Sequence, residues 1–213
     1  MALSKVDYNS INVTAAASQA LKWNSSANGF ETGDVSGSLV LLATETASGD
    51  STLSFTSSID STYDEYVFRF YDFNPATDAQ SLTFQASTDG GSSYGVTATT
   101  SWFVSYHNES GTDGNTGYSS GLDIAQGTGY QPISTGVGND ADSSVAGTLW
   151  LFNPSNTTYV KHFYTRANNY SEANGSYDSF AAGYFNTTAA ITAIDFKMSS
   201  GNMDAVIKMY GVG

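Results

Sequence analysis

The chain has no cysteine, three prolines, two histidines and few cations among its 213 residues. The lack of cysteine excludes a disulfide, a thiol nucleophile and a zinc–thiolate site. The longest purely aliphatic run, at about residues 39–43, is far shorter than the roughly 20 residues that a membrane-spanning helix needs. The first ten residues lack the apolar core of a signal peptide. These absences predict a chain that is made in a cytoplasm and does not insert into a membrane.

Cations are scarce, and the charge is uneven. Seven Lys and Arg face 20 Asp and Glu, so the net charge is −13. Residues 36–149 carry Arg69 against thirteen acids. Such a surface repels phosphate, which argues against direct nucleic-acid binding. Two interpretations remain: the charge keeps the protein in solution, or it binds cations and repels neighbours.

The residues that are abundant are those of strands and tight turns. Aromatic residues make up 14% of the chain and glycine contributes 21 residues. In D-E-Y-V-F-R-F-Y-D-F, Tyr66, Phe68 and Phe70 alternate with Arg69, as expected of a strand with one buried face. Short runs of this kind recur from residue 38 onward. They predict an all-β fold, an antiparallel jelly-roll-like β-sandwich over residues 36–213.

Residues 1–35 have a different character and are predicted to form an extended N-terminal arm. Leu21, Trp23 and Phe30 are apolar residues in a polar, glycine-bearing context without a local core. We expect them to anchor the arm on the sandwich, on a sister subunit or on another protein. A short helix over residues 14–21 is a further expectation, although so few turns are marginal alone.

Two stretches suggest turns and hairpins. S-T-D-G-G-S-S-Y, residues 87–94, resembles the Asp-box of β-propeller glycosidases. A propeller repeats such a motif every 40–50 residues or so, and this chain has one copy, so we interpret the stretch as a structural turn. Residues 68–84 and 148–163 both pass through F-N-P and a polar turn, which predicts two equivalent hairpins.

The sequence offers little for catalysis. No G-x-S-x-G elbow is present. His162 lies mid-strand and is interpreted as a structural histidine, whereas His107 opens a long polar region and is interpreted as a solvent-facing loop residue. G-N-D-A-D-S-S, residues 138–144, resembles a calcium loop but lacks the EF-hand glycine and closing glutamate. We therefore predict no catalytic residue, no metal and no cofactor.

Aromatic residues in and beside the polar region 107–147 suggest a second kind of site. Aromatic rings and short polar side chains on a β-sandwich can bind sugars. The candidate ligand-facing residues are Trp102, Tyr106, His107, Tyr118 and Tyr130. For Trp102 and Tyr106, the alternative is that they belong to the core of their strand.

Several phrases resemble a family of small β-rich structural proteins of tailed bacteriophages, especially phages of cyanobacteria and other aquatic bacteria. These phrases are L-K-W-N-S-S-A-N-G-F-E (21–31), S-T-L-S-F-T-S-S-I-D-S-T-Y-D-E-Y-V-F (51–68), F-N-P-S-N-T-T-Y-V-K-H-F (152–163), A-G-Y-F-N-T-T-A-A-I (182–191) and I-D-F-K-M-S-S-G-N-M-D-A-V-I-K-M-Y-G (194–211). The resemblance carries over no catalytic residue.

The resemblance implies a virion component, either a short tail-fibre or baseplate appendage or a capsid decoration. Such proteins are usually homotrimers that attach to other virion proteins through an N-terminal segment. The main alternative is a carbohydrate-binding module whose loops 107–147 contact a host glycan. A third hypothesis is a hydrolase that uses Glu109 or Asp113.

Overall fold

The computed structural model describes residues 20–24, 26, 28–33 and 39–213. These residues contain fifteen β-strands and no helix, and the predicted antiparallel β-sandwich is confirmed. The chain divides into two compact units, one that runs to Leu39 and takes in Gly213, and one of Val40–Val212. The predicted domain boundary after residue 35 stays a prediction. The predicted helix over residues 14–21 lies mainly outside the described residues, and residues 20 and 21 belong to a strand.

The first unit contains an antiparallel hairpin of β1 (Ala20–Trp23) and β2 (Phe30–Gly33). The second unit contains a large and a small antiparallel sheet. In spatial order, the large sheet consists of β3 (Leu39–Asp50), β15 (Met203–Val212), β5 (Glu65–Pro75), β11 (Val145–Phe152), β12 (Lys161–Ser171), β13 (Gly175–Phe185), β7 (Ala98–Asn108) and β8 (Gly114–Tyr118), with β9 (Ala125–Gly127) also paired to β7. The small sheet consists of β10 (Gln131–Pro132), β6 (Leu82–Ser87), β14 (Ala193–Met198) and β4 (Leu53–Phe55).

The core lies between the small sheet and one face of the large sheet, which we call the inner face. Phe84 of β6 meets Phe163 of β12 edge to face, with ring centroids 5.1 Å apart. Phe196 of β14 lies 5.6 Å from Phe68 and 6.0 Å from Phe70 of β5. As predicted, Tyr66, Phe68 and Phe70 are buried and Arg69 is exposed.

The two F-N-P segments are not equivalent hairpins, and that prediction was wrong. β11 and β12 do form a hairpin within the large sheet. After β5, by contrast, the chain leaves the large sheet and enters β6 of the small sheet. In the first segment, residues 73–75 still belong to β5, whereas in the second the turn begins at Asn153, whose φ is 46°. The shared F-N-P motif therefore does not determine which sheet the next strand joins.

The Asp-box-like stretch is a turn in the structure, as predicted. The Asp89 carboxylate accepts hydrogen bonds from the Ser87 hydroxyl at 2.6 Å and from the Ser93 amide at 2.9 Å. Gly91 has a φ of 87°, which side-chain-bearing residues rarely adopt. These hydrogen bonds, that of Ser87 above all, lower the pKa of Asp89 to about 2. The stretch is thus a charged, hydrogen-bonded turn between β6 and β7.

The long polar region contains more structure than its composition suggests. Within residues 107–147 lie the short strands β8, β9 and β10 and the beginning of β11. β8 has the sequence G-N-T-G-Y, all of it exposed, so it lacks the apolar alternation from which strands are predicted. Tertiary pairing with β7 makes this segment a strand.

Candidate functional site

The three predicted anchoring residues lie together on one face of the β1–β2 hairpin. Leu21, Trp23 and Phe30 are 45%, 62% and 44% exposed. Trp23 pairs with Phe30 across the two strands, and their rings stack with centroids 4.4 Å apart. Strand alternation places Lys22 and Glu31 on the other face, where their charged groups lie 3.7 Å apart. The hairpin is therefore amphipathic, with a solvent-exposed aromatic pair on its apolar face.

The five predicted ligand-facing residues do not form one site. Trp102 is fully buried and cannot face a ligand, so that prediction is corrected in favour of the core alternative. Tyr106 is half-buried and stacks on Tyr177, 4.9 Å away. His107 and Tyr118 are exposed on the large sheet, and Tyr130 packs against the small sheet. Sequence proximity in the polar region did not translate into spatial proximity.

Each histidine agrees with its prediction in part: His107 is solvent-facing but lies in a strand, and His162 lies in a strand but is exposed. His162 is exposed and lies edge-on to Tyr184, with ring centroids 6.1 Å apart, so it is not an enclosed structural histidine. His107 belongs to β7 and not to a loop. Among the described residues, no group of three or more His, Asp or Glu side chains is placed to hold a metal ion.

One enclosed polar cluster lies on the side of the small sheet that faces away from the large sheet. Asp195 of β14 is 2% exposed and accepts hydrogen bonds from Ser54 at 2.5 Å and Tyr130 at 2.8 Å. Burial raises the pKa of Asp195, and the two hydroxyl donors and Lys197 oppose the rise. Burial and then the neighbouring Asp195 raise the pKa of Tyr130. Because the carboxylate is sealed from solvent, this cluster holds the Tyr130 segment on the sheet and offers no access to a substrate.

The solvent-accessible aromatic and cationic side chains lie on the face of the large sheet that is opposite the core. We call this face the outer face. Phe103 of β7 and Phe180 of β13 stand side by side there, with ring centroids 4.7 Å apart and planes within 8°. Tyr118 of β8 pairs with Phe103 and is 60% exposed. On the other side of Phe180, the guanidinium of Arg166 lies 4.9 Å from the ring centroid. Four adjacent strands thus contribute a planar group each to one register row.

A second aromatic cluster lies on the outer face near the end of β11. Trp150 and Tyr164 stack at 5.9 Å, and Phe152 lies 5.6 Å from Tyr164. Val67, also an outward-pointing residue, is fully buried between β11 and β15 in the sheet. The aromatic rings therefore shield part of the face from water, and 43% of Tyr164 remains exposed.

Cations cross the outer face in one register row. Lys208 of β15 pairs with Arg69 of β5, Arg69 pairs with Thr148 of β11, and Thr148 pairs with Arg166 of β12. Arg166 donates to both carboxylate oxygens of Asp178, at 3.1 and 2.7 Å. This ion pair occupies the Nε and Nη2 edge of the guanidinium and, with the Phe180 ring, fixes the orientation of the group, which leaves Nη1 as its remaining donor.

Local sequence patterns do not assemble this face. Alternation in β5 marks Arg69 as outward-facing, but no local pattern connects it with Arg166, Phe180 or Trp150. The usable signal is strand alternation: Tyr164 and Arg166 alternate with Phe163 and Thr165 in β12, and a surface with aromatic and cationic residues in phase is unusual for plain solvent exposure.

Comparison of the chain with protein-family models, with curated proteins and with solved structures gave no match. Within the described ranges, the search for a helix with the length and apolar character of a membrane span gave none.

Proposed function

We propose that the protein is a non-enzymatic structural component of a tailed-phage virion, attached through its N-terminal segment and displaying the sandwich outward. It would be a short tail-fibre or baseplate appendage or a capsid decoration, made in the host cytoplasm. The observation that carries the proposal is the amphipathic β1–β2 hairpin, with Leu21, Trp23 and Phe30 exposed, in a unit distinct from the sandwich.

The hairpin suits an attachment role for a physical reason. A two-stranded hairpin is marginally stable alone in water, and burial against another surface stabilises it. Burying one large apolar side chain contributes about 1.5–3 kcal/mol, so Trp23 and Phe30 together can anchor a chain on a partner. The partners we propose are other virion proteins and, in a homotrimer, the sister subunits. The resemblance of the phrases at 21–31 and 194–211 to phage structural proteins supports this assignment.

The experiment that tests the attachment role measures incorporation into particles. The Trp23→Ser/Phe30→Ser variant and a deletion of residues 1–35 should lose incorporation, quantified by mass spectrometry of purified virions. Tyr159→Ser is the matched control, because Tyr159 is a 70% exposed aromatic residue of the sandwich. Unchanged incorporation after the deletion would overturn the proposal. Light scattering of the purified chain with and without residues 1–35 tests the homotrimer.

A second candidate function is carbohydrate binding, and a specific observation favours it. The outer face combines exposed aromatic rings with oriented polar groups, which is the composition of sites that bind sugars. A host surface glycan would be the ligand, and a virion appendage could carry out both functions. Glycan-array binding at background level would count against this candidate.

A further inference from the structure

The middle of the outer face is a shallow trough above β11. Its floor consists of small residues, Ala146 and Thr148, and the depression encloses about 430 Å³. Arg166, Asn168 and Asp178 line one side. On the other side lies β5, whose Arg69 pairs with Thr148. Neighbouring strands in a sheet lie about 4.8 Å apart, so Arg69 and Arg166, two strands apart, bracket a gap of about 10 Å.

The charge of this trough is opposite to that of the protein. Within Val40–Val212, which the structure describes throughout, five Lys and Arg residues occur, and Lys161 is fully buried. Three of the other four, Lys208, Arg69 and Arg166, form the register row across the trough. The whole chain carries a net charge of −13. Three of these four cations therefore lie in a single row, which is a marked concentration of positive charge for so small a number.

Of the acids near this row, two are engaged, whereas Asp72, exposed on β5 three positions after Arg69, has no ion pair among the described residues. Asp178 is paired with Arg166, and Asp204, on β15, accepts a hydrogen bond from the Gly49 amide at 2.7 Å. Glu65 lies at the beginning of β5, beside Phe152 and away from the cation row. The centre of the outer face therefore holds three of the four cations of Val40–Val212 that are not fully buried, with Asp178 and Asp72 as nearby acids.

We propose that the outer face binds an anionic polysaccharide chain, with Arg69, Arg166 and Lys208 contacting its carboxylate or sulfate groups and the rings around Tyr164 and Phe180 packing on its sugars. This inference rests on the carbohydrate-binding candidate above and adds its ligand class and its site. The occupant follows from charge: Arg69 and Lys208 have no ion pair among the described residues, so a neutral glycan would leave both charges uncompensated, and an apolar protein surface would bury them. Duplex DNA carries one charge per about 1.7 Å, and the surrounding acids disfavour so dense a polyanion.

Three polymers of different charge test the ligand class. Binding of the full-length protein to polygalacturonate, dextran sulfate and neutral dextran is measured by titration calorimetry at low and physiological salt. We expect binding to polygalacturonate or dextran sulfate that weakens as salt is added, and no binding to dextran. The two anionic polymers distinguish carboxylate from sulfate as the group recognised.

Matched charge variants test the site. Arg69→Gln and Arg166→Gln should each weaken binding about tenfold, the loss expected for one charge-assisted hydrogen bond. Lys197→Gln removes the same charge from the small sheet and should leave binding unchanged. Arg166→Lys keeps the charge without the guanidinium fork and should fall between wild type and Arg166→Gln. Thermal unfolding checks that each variant is folded. If Arg166→Gln unfolds, Arg69→Gln still tests the site, because Arg69 makes no ion pair among the described residues.

The remaining outcomes overturn the inference in different ways. Equal weakening by Lys197→Gln and Arg69→Gln would mean nonspecific attraction and no site. Binding of dextran alone would leave carbohydrate binding standing but refute the anionic ligand. Duplex DNA is titrated as a fourth polymer, and tighter binding of DNA than of the polysaccharides would replace the ligand class. Absence of binding to all three polymers would overturn both this inference and the carbohydrate-binding candidate, whereas the attachment role is decided separately by incorporation into particles.

Discussion

The inner and outer faces of the large sheet are made by the same strands but use aromatic residues differently. On the inner face, Phe163 and Phe185 pack in the core 4.8 Å apart, and both are at most 2% exposed. On the outer face, Tyr164 and Phe180 pack with neighbours across the strands and keep part of their surface in water. The inner face contacts a second sheet, and the outer face contacts solvent in the described part of the chain.

This difference shows that aromatic content alone does not identify a core. Core rings meet at varied angles, from 90° between Phe84 and Phe163 to 41° between Phe163 and Phe185 and 29° between Phe84 and Phe196. On the outer face, two cross-strand pairs stack close to parallel, Phe103 with Phe180 at 8° and Trp150 with Tyr164 at 20°. Parallel rows leave ring edges and cations accessible, so the outer face has the geometry of a contact surface.

The largest expected difference between the two faces concerns two consecutive residues of β12. Phe163→Ala should lower the free energy of unfolding by about 3–5 kcal/mol, because it opens a cavity among Phe84 and Phe185. Tyr164→Ala should cost about 0.5–1.5 kcal/mol, the value of an aromatic pair at a partly exposed site. Urea unfolding measures both, and equal losses would contradict the assignment of the two faces.

A smaller effect is expected from two consecutive residues of β11. A Cβ at Gly147 would lie 2.7 Å from the Cα of Ala167 and 2.8 Å from the Phe70 ring. Gly147→Ala should therefore cost about 1–3 kcal/mol through overpacking. Ala146→Ser, on the outer face, should stay within about 0.5 kcal/mol of wild type. Thermal unfolding compares them, and a tolerated Gly147→Ala would mean that the inner face is loosely packed.

The smallest expected effect is a pH dependence of opposite sign for two carboxylates beside the small sheet. The pKa of Asp89 is lowered to about 2, so its contribution to stability is complete above the ordinary aspartate pKa and is lost as the pH falls towards 2. The pKa of Asp195 is raised by burial, so stability falls as the pH rises from the ordinary aspartate pKa through the raised one.

Urea unfolding of Asp89→Asn and Asp195→Asn from about pH 2 to pH 8 checks the signs. Relative to wild type, Asp89→Asn should remove a gain in stability with rising pH, and Asp195→Asn should remove a loss. For each variant, the difference in the free energy of unfolding from wild type is plotted against pH. If the two plots slope in the same direction, the opposite pKa shifts of Asp89 and Asp195 are refuted.

The sequence supported the local features of the fold. Alternation in β5 gave the correct phase of Phe68 and Arg69, and the turn residues around Asp89 gave the correct turn. These predictions succeeded because strand phase and turn geometry depend on neighbouring residues. The exposed Leu21, Trp23 and Phe30 were likewise recognisable from their polar surroundings.

The sequence did not reveal which sheet a strand joins or what lies across from it. The row of Lys208, Arg69, Thr148 and Arg166 comes from strands that are distant in the chain, and no local pattern encodes their register. Trp102 borders a polar region, so the sequence left both a ligand-facing and a core position open, and the fold places it in the interior. β8 was missed because its pairing with β7, and not its composition, makes it a strand.

The position of β15 in the sheet has a consequence for how the molecule comes into being. β15 lies between β3 and β5, so the strand nearest the carboxyl end links β3, the first strand of the sheet, to the rest. About 150 residues separate β3 from its partner β15 in the chain, so β3 is synthesised long before it can pair. Contacts of such long range form slowly. A nascent chain stalled before Met203 would expose the inward side of β3 and the edge of β5, which makes it a natural client for holding chaperones.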